Sequence, residues 1–310
     1  MIPVKFKNLS RPVFSSNRSI QRASLGRFFT DFGESKLALT GLLVFAVIVV
    51  LAVGAPLVTP QDPYDLAQLS ILDGQLAPGT QGGAGHIYWL GTDDQGRDMY
   101  SAIVYGLRTS LAVGAISTSA AVVIGVTFGL LAAYFGGRID TIIMRIVDLQ
   151  LSFPAILIAL ILLAGLGRGV DKVIYALIFV QWAYYARTIR GNALVERNKE
   201  YIEAAHCLAL SQGRIIFRHL LPNCLPPLIV VATVQVAHAI TLEATLSFLG
   251  VGVPITEPSL GLMIANGYEY MLSGQYWISL FPGFALVVTI VSINLIGDQL
   301  RDVINPRLRR

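Results

Sequence analysis

Charge is scarce in this chain. Only 14% of its 310 residues are Asp, Glu, Lys or Arg, while 54% are hydrophobic; a soluble domain carries about 25% charged residues. An ordinary water-soluble globule is therefore excluded. Cysteine is nearly absent as well. Cys207 and Cys224 form no CxxC pair and have no ligand spacing, which removes a disulfide framework and a thiolate metal site. The histidines His86, His206, His219 and His238 are scattered. No P-loop, HExxH, GxSxG or GxGxxG pattern occurs, so nucleotide binding, zinc hydrolysis and serine hydrolysis have no local carrier. The expectation is no catalytic residue, no metal site and no cofactor bound by this chain. The net charge of +4 could suit nucleic acid, but the basic residues are bunched in a few loops, as membrane topology requires. Nucleic-acid binding is not expected.

What is present is a series of long apolar runs. "LALTGLLVFAVIVVLAVGAPLV", Leu37–Val58, would rise about 33 Å as a helix, enough to cross a bilayer. Val53-Gly54-Ala55 resembles a signal-peptide cleavage site, but the long polar leader, the overlong apolar core and Pro56 favour an uncleaved anchor. Five further spans are expected near Leu111–Phe135, Ile142–Leu166, Val173–Tyr185, Leu225–Val251 and Ile278–Ile296. Pro154 is expected to bend the third.

Loop charge orients them. The leader holds Lys5, Lys7, Arg11, Arg18, Arg22, Arg27 and Lys36, whereas the loop after the first span holds only Arg97 and Arg108 against six aspartates. The segment before the fifth span holds six basic residues, and the tail adds Arg301, Arg307, Arg309 and Arg310. With six spans, both termini fall on the cytoplasmic side. The expected fold class is thus an all-α integral membrane protein with six transmembrane helices. The outer loop, rich in Gly, Asp and Pro, reads as a small cap or docking surface.

One stretch interrupts this pattern: "EYIEAAHCLALSQGRIIFRHLLPN", Glu200–Asn223. As a helix its first half puts Tyr201, Ala204, Ala205 and Leu208 on one narrow stripe. Gly213 permits a sharp turn. A second short helix follows, with Ile216, Phe217, Leu220 and Leu221 apolar and Arg214 and Arg218 one turn apart, as in an interfacial helix. Pro222, Pro226 and Pro227 punctuate the return into the fifth span. Periodicity alone leaves two readings, a plain amphipathic connector or a knob offered to a cytoplasmic partner.

This stretch resembles the EAA loop of binding-protein-dependent ABC importer permeases. "LGTDDQGRDMYSAIVYGLRTSL" (Leu90–Leu111), "EATLSFLGVGVPITEPSLGLMI" (Glu243–Ile264) and "NLIGDQLRDVINPRLR" (Asn294–Arg309) resemble the second permease subunit of the dipeptide, oligopeptide and nickel transporters. The resemblance implies a type I ABC importer permease fold in the bacterial inner membrane. It divides the chain into a cytoplasmic segment 1–36, a first span 37–58, a periplasmic loop 59–106, a permease core 107–298 with the coupling loop at 200–223, and a cytoplasmic tail 299–310. It also implies a homologous permease as heterodimer partner, two ATPase subunits that bind the ATP and magnesium, and a periplasmic substrate-binding protein. Glu203, Ala204 and Ala205 match the motif's core, Leu208 its leucine and Pro222 its terminal proline. Ala209 stands where the family has glycine, so a bend that is stiffer there or shifted towards Gly213 is expected. Peptides are the implied solute; nickel, opines, glutathione or another small solute are the alternatives within the family. A stand-alone channel or a membrane enzyme is the alternative outside it.

Four further features stand apart. Gly125 and Gly129 form GxxxG, a close-packing motif. Arg145 and Asp148, three apart, could pair or line the pathway. Glu243, within the fifth span, faces either the pathway or partner permease, or a buried structural contact. Asp93, Asp94, Arg97 and Asp98 of "GTDDQGRD" either anchor the fold or contact the binding protein.

Overall fold

A computed structural model describes residues 30–304 except 64 and 84. The basic leader from Lys5 to Arg27 and the tail residues Arg307, Arg309 and Arg310 lie outside the described residues.

Helix α1 (Lys36–Val53) starts at Ser35, whose hydroxyl accepts the Ala38 N–H at 3.2 Å. Gly54 ends it, and Pro56, tolerated in a first turn, restarts the chain as α2 (Ala55–Val58). Helix α3 (Met99–Phe135) begins well before the expected Leu111. The Asp98 carboxylate caps it, accepting the Ser101 N–H at 2.9 Å and the Ser101 hydroxyl at 2.6 Å. It ends at Gly136, whose φ of 65° suits a residue without a Cβ.

The expected third span is two helices, α4 (Gly137–Leu151) and α5 (Ala155–Leu166), set at 90°. Pro154 breaks the chain here where a bend was expected. It has no N–H to continue the ladder, and its ring pushes the preceding residue out of the helical region. Helix α6 (Val170–Arg197) runs past the expected Tyr185 and carries Arg187, Arg190 and Arg197 out of the apolar zone. After α7 (Glu200–Cys207), a continuous helix covers Gln212–Phe248. It comprises α8 (Gln212–Arg214), a π turn (Ile215–Leu220) and α9 (Leu221–Phe248). Helices α10 (Leu260–Tyr270) and α11 (Trp277–Ile304) complete the chain.

Among the described residues, α1, α3, the Gln212–Phe248 helix and α11 are long and apolar enough to cross a membrane, and the bent α4–α5 pair makes a fifth candidate. Exposed Leu43, Val50, Ile161 and Phe284 give the bundle an apolar exterior, as a lipid-facing surface requires.

Helices α3 and α6 form the most extensive helix pair, and GxxxG makes it possible. A Cβ on Gly125 would fall 2.5 Å from Tyr185 Cβ, and one on Gly129 would overlap Ile189. Helix α9 packs on α3, α6 and α11, while α1 flanks α11. The core is layered. Leu130, Tyr185, Ile189 and Leu228 fill the end near α7, and Val113, Leu163, Leu177 and Leu246 pack where α5 and α9 end and α6 begins. Met99, Leu260, Trp277 and Ile278 fill the opposite end. That end is closed by a cap in which strands β1 (Thr80–Gln81) and β2 (Ile87–Tyr88) pair antiparallel. Buried Asp73 accepts the Gly83 N–H at 2.9 Å, and Trp277 donates its indole N–H to the Thr92 carbonyl at 3.1 Å.

Candidate functional site

Helix α7 sits where α3 ends and α6 stops. Arg197 donates to the carbonyl oxygens of Ala133 at 2.8 Å and Tyr134 at 3.1 Å, groups that the end of α3 would otherwise leave unpaired. Tyr134 in turn stacks on His206 of α7, with ring centroids 6.4 Å apart. Glu196 accepts hydrogen bonds from Lys199 at 2.5 Å and from Tyr201 at 2.7 Å. Burial and this carboxylate together push the Tyr201 phenol upward.

The stretch has two faces. Ile202, Ala205, Ile215, Ile216 and Leu220 are buried against Leu130, Tyr185 and Ile189. Outside lie Glu203, Ala204, Ala209 and Pro222, with Leu208 at 73% and Phe217 at 69% exposure. The expected stripe is therefore divided: Ala205 points inward, while Tyr201, Ala204 and Leu208 stay outside. Of the apolar residues of the second helix, Ile216 and Leu220 are buried while Phe217 stays outside.

The bend stays at Ala209. The Leu210 N–H reaches the Ala205 carbonyl at 3.2 Å and the Ala209 N–H the His206 carbonyl at 2.9 Å, the paired bonds of a Schellman turn. Ala209 occupies its left-handed position with φ of 52°. The expected shift towards Gly213 does not occur, because Gly213 lies inside α8. Nor do the prolines interrupt the return. The π turn loosens the ladder just ahead of Pro222, the Leu221 N–H bonding the Ile216 carbonyl five residues back, and α9 continues through Pro226 and Pro227.

Arg145 and Asp148 do not pair. Asp148 bonds Arg187 of α6 instead, and Arg145 makes no ion pair among the described residues. Asp140 takes a two-pronged grip from Arg190, at 2.5 and 2.6 Å. These bridges tie α4 to α6 across the chain, which local spacing could not indicate. Glu243 has 0% exposure. It accepts hydroxyl donors from Ser110 at 2.9 Å, Ser247 at 2.9 Å and Ser259 at 2.8 Å, joining α3, α9 and the start of α10. This is the buried-contact alternative.

In "GTDDQGRD", Asp93, Arg97 and Asp98 are 6%, 4% and 1% exposed. Asp93 accepts the Gln95 and Arg97 N–H groups at 2.9 and 2.8 Å, and Arg97 reaches the Ile255 carbonyl at 3.2 Å. Burial pushes the Asp93 carboxyl up to about 6 despite those bonds and the Arg97 charge. The geometry supports anchoring, with Asp94 alone of the four partly exposed. Among the described residues, no three His, Cys, Asp or Glu side chains gather as metal ligands would.

His238 is one of four histidines scattered along the sequence. It is exposed near the middle of α9 and lines a cavity of about 240 Å³ with Gln181, Tyr184 and Gln235. The available signal was its position, an ionisable residue at the centre of an apolar span.

A bundle of membrane-length helices with one half-buried amphipathic connector at one end defines a helical membrane protein. Residues 125–310 match the family described as binding-protein-dependent transport system inner membrane component, and residues 25–78 match the N-terminal TM domain of oligopeptide transport permease C. The chain is 37% identical to the dipeptide transport system permease protein DppC of Alkalihalophilus pseudofirmus, over 91% of this chain and 89% of that protein. It is 36% identical to the di/tripeptide transport system permease protein DppC of Pseudomonas aeruginosa, over 92% and 93%. Solved structures of the methionine ABC transporter MetNI in inward-facing conformations superpose with TM-scores of 0.53 and 0.54, at 24% and 25% identity. They cover 66% of this chain and 97% of theirs, and the likeness shows a type I ABC permease fold. The chain belongs to the binding-protein-dependent transport system inner membrane component family, and it is an inner-membrane protein.

Proposed function

We propose that this chain is the permease subunit of an ATP-driven peptide importer, and that α7 is the lever through which ATPase subunits move it. The exposed apolar pair Leu208 and Phe217 carries this reading. Leu208 closes α7 and Phe217 lies in the π turn beyond it, and an exposed apolar side chain on a segment whose other face is locked into the core offers a docking surface joined to a rigid body. The relatives named for dipeptide and di/tripeptide transport support peptides as the solute.

In this reading α1, α3, the α4–α5 pair, α6, α9 and α11 make six crossings. Arg187, Arg190, Arg197, Lys199, Arg214 and Arg218 favour the cytoplasm for α7, and both termini lie on that side. A homologous permease completes the pathway, two ATPase subunits dock beneath the pair with one of them seated on the Leu208 face, and a periplasmic binding protein delivers the peptide. This chain itself is non-catalytic; ATP and magnesium belong to the ATPases. Closure of the ATPase pair moves α7, and the Arg197 tie and the buried Ile202–Leu220 face transmit that displacement to α3 and α6. The result is a population shift between inward and outward states.

The test is dipeptide uptake into proteoliposomes containing all subunits. Leu208→Asp and Glu203→Arg should insert normally but lose ATP-driven uptake, and Leu208→Asp should no longer co-purify with the ATPases. Normal uptake by both variants would remove the coupling role.

A further inference from the structure

The cavity at His238 belongs to a longer feature. A space of about 450 Å³ lies between α6, α9 and α11 at the α7 end and shares Tyr184 and Gln235 with the His238 cavity. A third, of about 200 Å³, lies towards the cap end and shares Thr241 and Thr245 with it. Together they form a groove along one face of α9, from Pro227 through Val231, Val234, His238 and Thr241 to Thr245. These positions alternate in steps of four and three, one face of a helix. They span about 27 Å of rise, close to the roughly 30 Å hydrocarbon thickness of a bilayer.

The ends of the groove differ from its middle. At the α7 end Asp298 and Arg301 contribute charge. At mid-depth the polar groups are amide, hydroxyl and imidazole: Gln181, Gln235, Tyr184, Thr241 and His238. Gln181 is spent internally, its Oε1 accepting from Thr118 at 3.3 Å and its Nε2 donating to the Gln235 carbonyl at 3.4 Å. His238 makes no hydrogen bond to any described residue. Hydrocarbon could not satisfy an exposed imidazole at the centre of a span, and such groups normally face water or protein.

We propose that this groove is the chain's half of the solute path, and that His238 hydrogen-bonds the backbone of the passing peptide at mid-membrane. A neutral imidazole offers one N–H donor and one ring-nitrogen acceptor, which complement the carbonyl and N–H of a peptide unit. A contact to the backbone serves many side chains alike. The glutamine and tyrosine beside it extend the same neutral chemistry. The proposal rests on the peptide-importer reading above.

The experiment uses the full complex with its binding protein in proteoliposomes and radiolabelled dialanine. Cys207→Ser and Cys224→Ala remove the native thiols, and single cysteines replace Val234, His238 or Thr245 in the groove. A cysteine at Phe284, exposed on α11, is the control. A charged methanethiosulfonate should modify the groove positions at least tenfold faster than the control, and dialanine should slow that modification during turnover. His238→Ala should reduce dialanine uptake at least tenfold, mainly through a higher KM, with His238→Gln restoring most of it. Co-purification of all subunits checks assembly. Unreactive groove cysteines would overturn the proposal, showing that a partner helix fills the groove. So would reactive cysteines with normal uptake by His238→Ala. If the unmutated complex imports no dipeptide at all, the peptide reading fails instead.

Discussion

Arg197 and Ala133 are 64 residues apart in sequence, yet the Arg197 guanidinium donates to the Ala133 carbonyl oxygen at 2.8 Å. The bond joins the last turn of α6 to the last turn of α3, immediately before the chain enters α7. A charge-assisted bond of this kind contributes about 1.5–3 kcal/mol, and its loss strands a helix-end acceptor.

Arg197→Ala should therefore lower the melting temperature in detergent modestly and reduce coupling more than stability. The expected result is peptide uptake reduced at least fivefold while the assembled complex still hydrolyses ATP. A variant with unchanged uptake per ATP would show that α7 transmits motion without this tie.

Ala209 pays a local conformational penalty. Its φ of 52° costs an L-residue about 1–2 kcal/mol, partly offset because alanine restricts the unfolded chain more than glycine does. Ala209→Gly should stabilise the protein by up to about 1 kcal/mol. Ala209→Val, β-branched in the same region, should destabilise it by about 1–3 kcal/mol. Thermal melts of both variants in one detergent would check the order Gly, Ala, Val.

Most of the helices were legible in the sequence because apolar runs of membrane length have few other uses. The GxxxG contact also follows from spacing, whereas the stripe that groups Ala205 with Leu208 does not, because α7 buries one and exposes the other. What spacing cannot carry is contact between distant segments. Asp148 has Arg145 one turn away, yet bonds Arg187 of α6, because the α4–α5 corner at Pro154 lays α4 against α6. Glu243 looked as much like a pathway residue as a buried one until Ser110 and Ser259, from other segments, closed around it. Ala209 departs from the expected glycine in identity, yet it takes the left-handed conformation that favours glycine, held by two backbone bonds. The extension of α3 back to Asp98 was hidden because Arg108 interrupts the apolar run.

Gly129 fixes how closely α3 and α6 approach. A Cβ there would overlap Ile189 and lie 2.5 Å from the Ala186 carbonyl oxygen, and backbone on one side cannot yield cheaply. Gly129→Ala should cost about 1–3 kcal/mol by overpacking. Because Ile189 leads into the layer beneath α7, uptake should fall together with stability. Ile189→Ala in the same background relieves the overlap and should recover part of the melting temperature. Strict additivity of the two substitutions would contradict a direct contact.

Asp93 gives the cap a pH signature. Its carboxyl is raised from 3.8 to about 6 by burial, so the folded state holds its proton more tightly than the unfolded chain. Below pH 3.8 both states are protonated and the group is neutral in effect. Between 3.8 and 6 the unfolded chain ionises while the folded one does not, and above 6 the penalty is complete, at about 3 kcal/mol. Asp93→Asn keeps an Oδ1 acceptor for the Gln95 and Arg97 N–H groups and removes the ionisation. It should be more stable than the parent by about 2–3 kcal/mol at pH 7.5, with the gap closing as pH falls towards 4. Denaturation of both proteins in the same detergent across that range measures the gap directly. A gap independent of pH would mean that Asp93 titrates in the fold as it does in the unfolded chain.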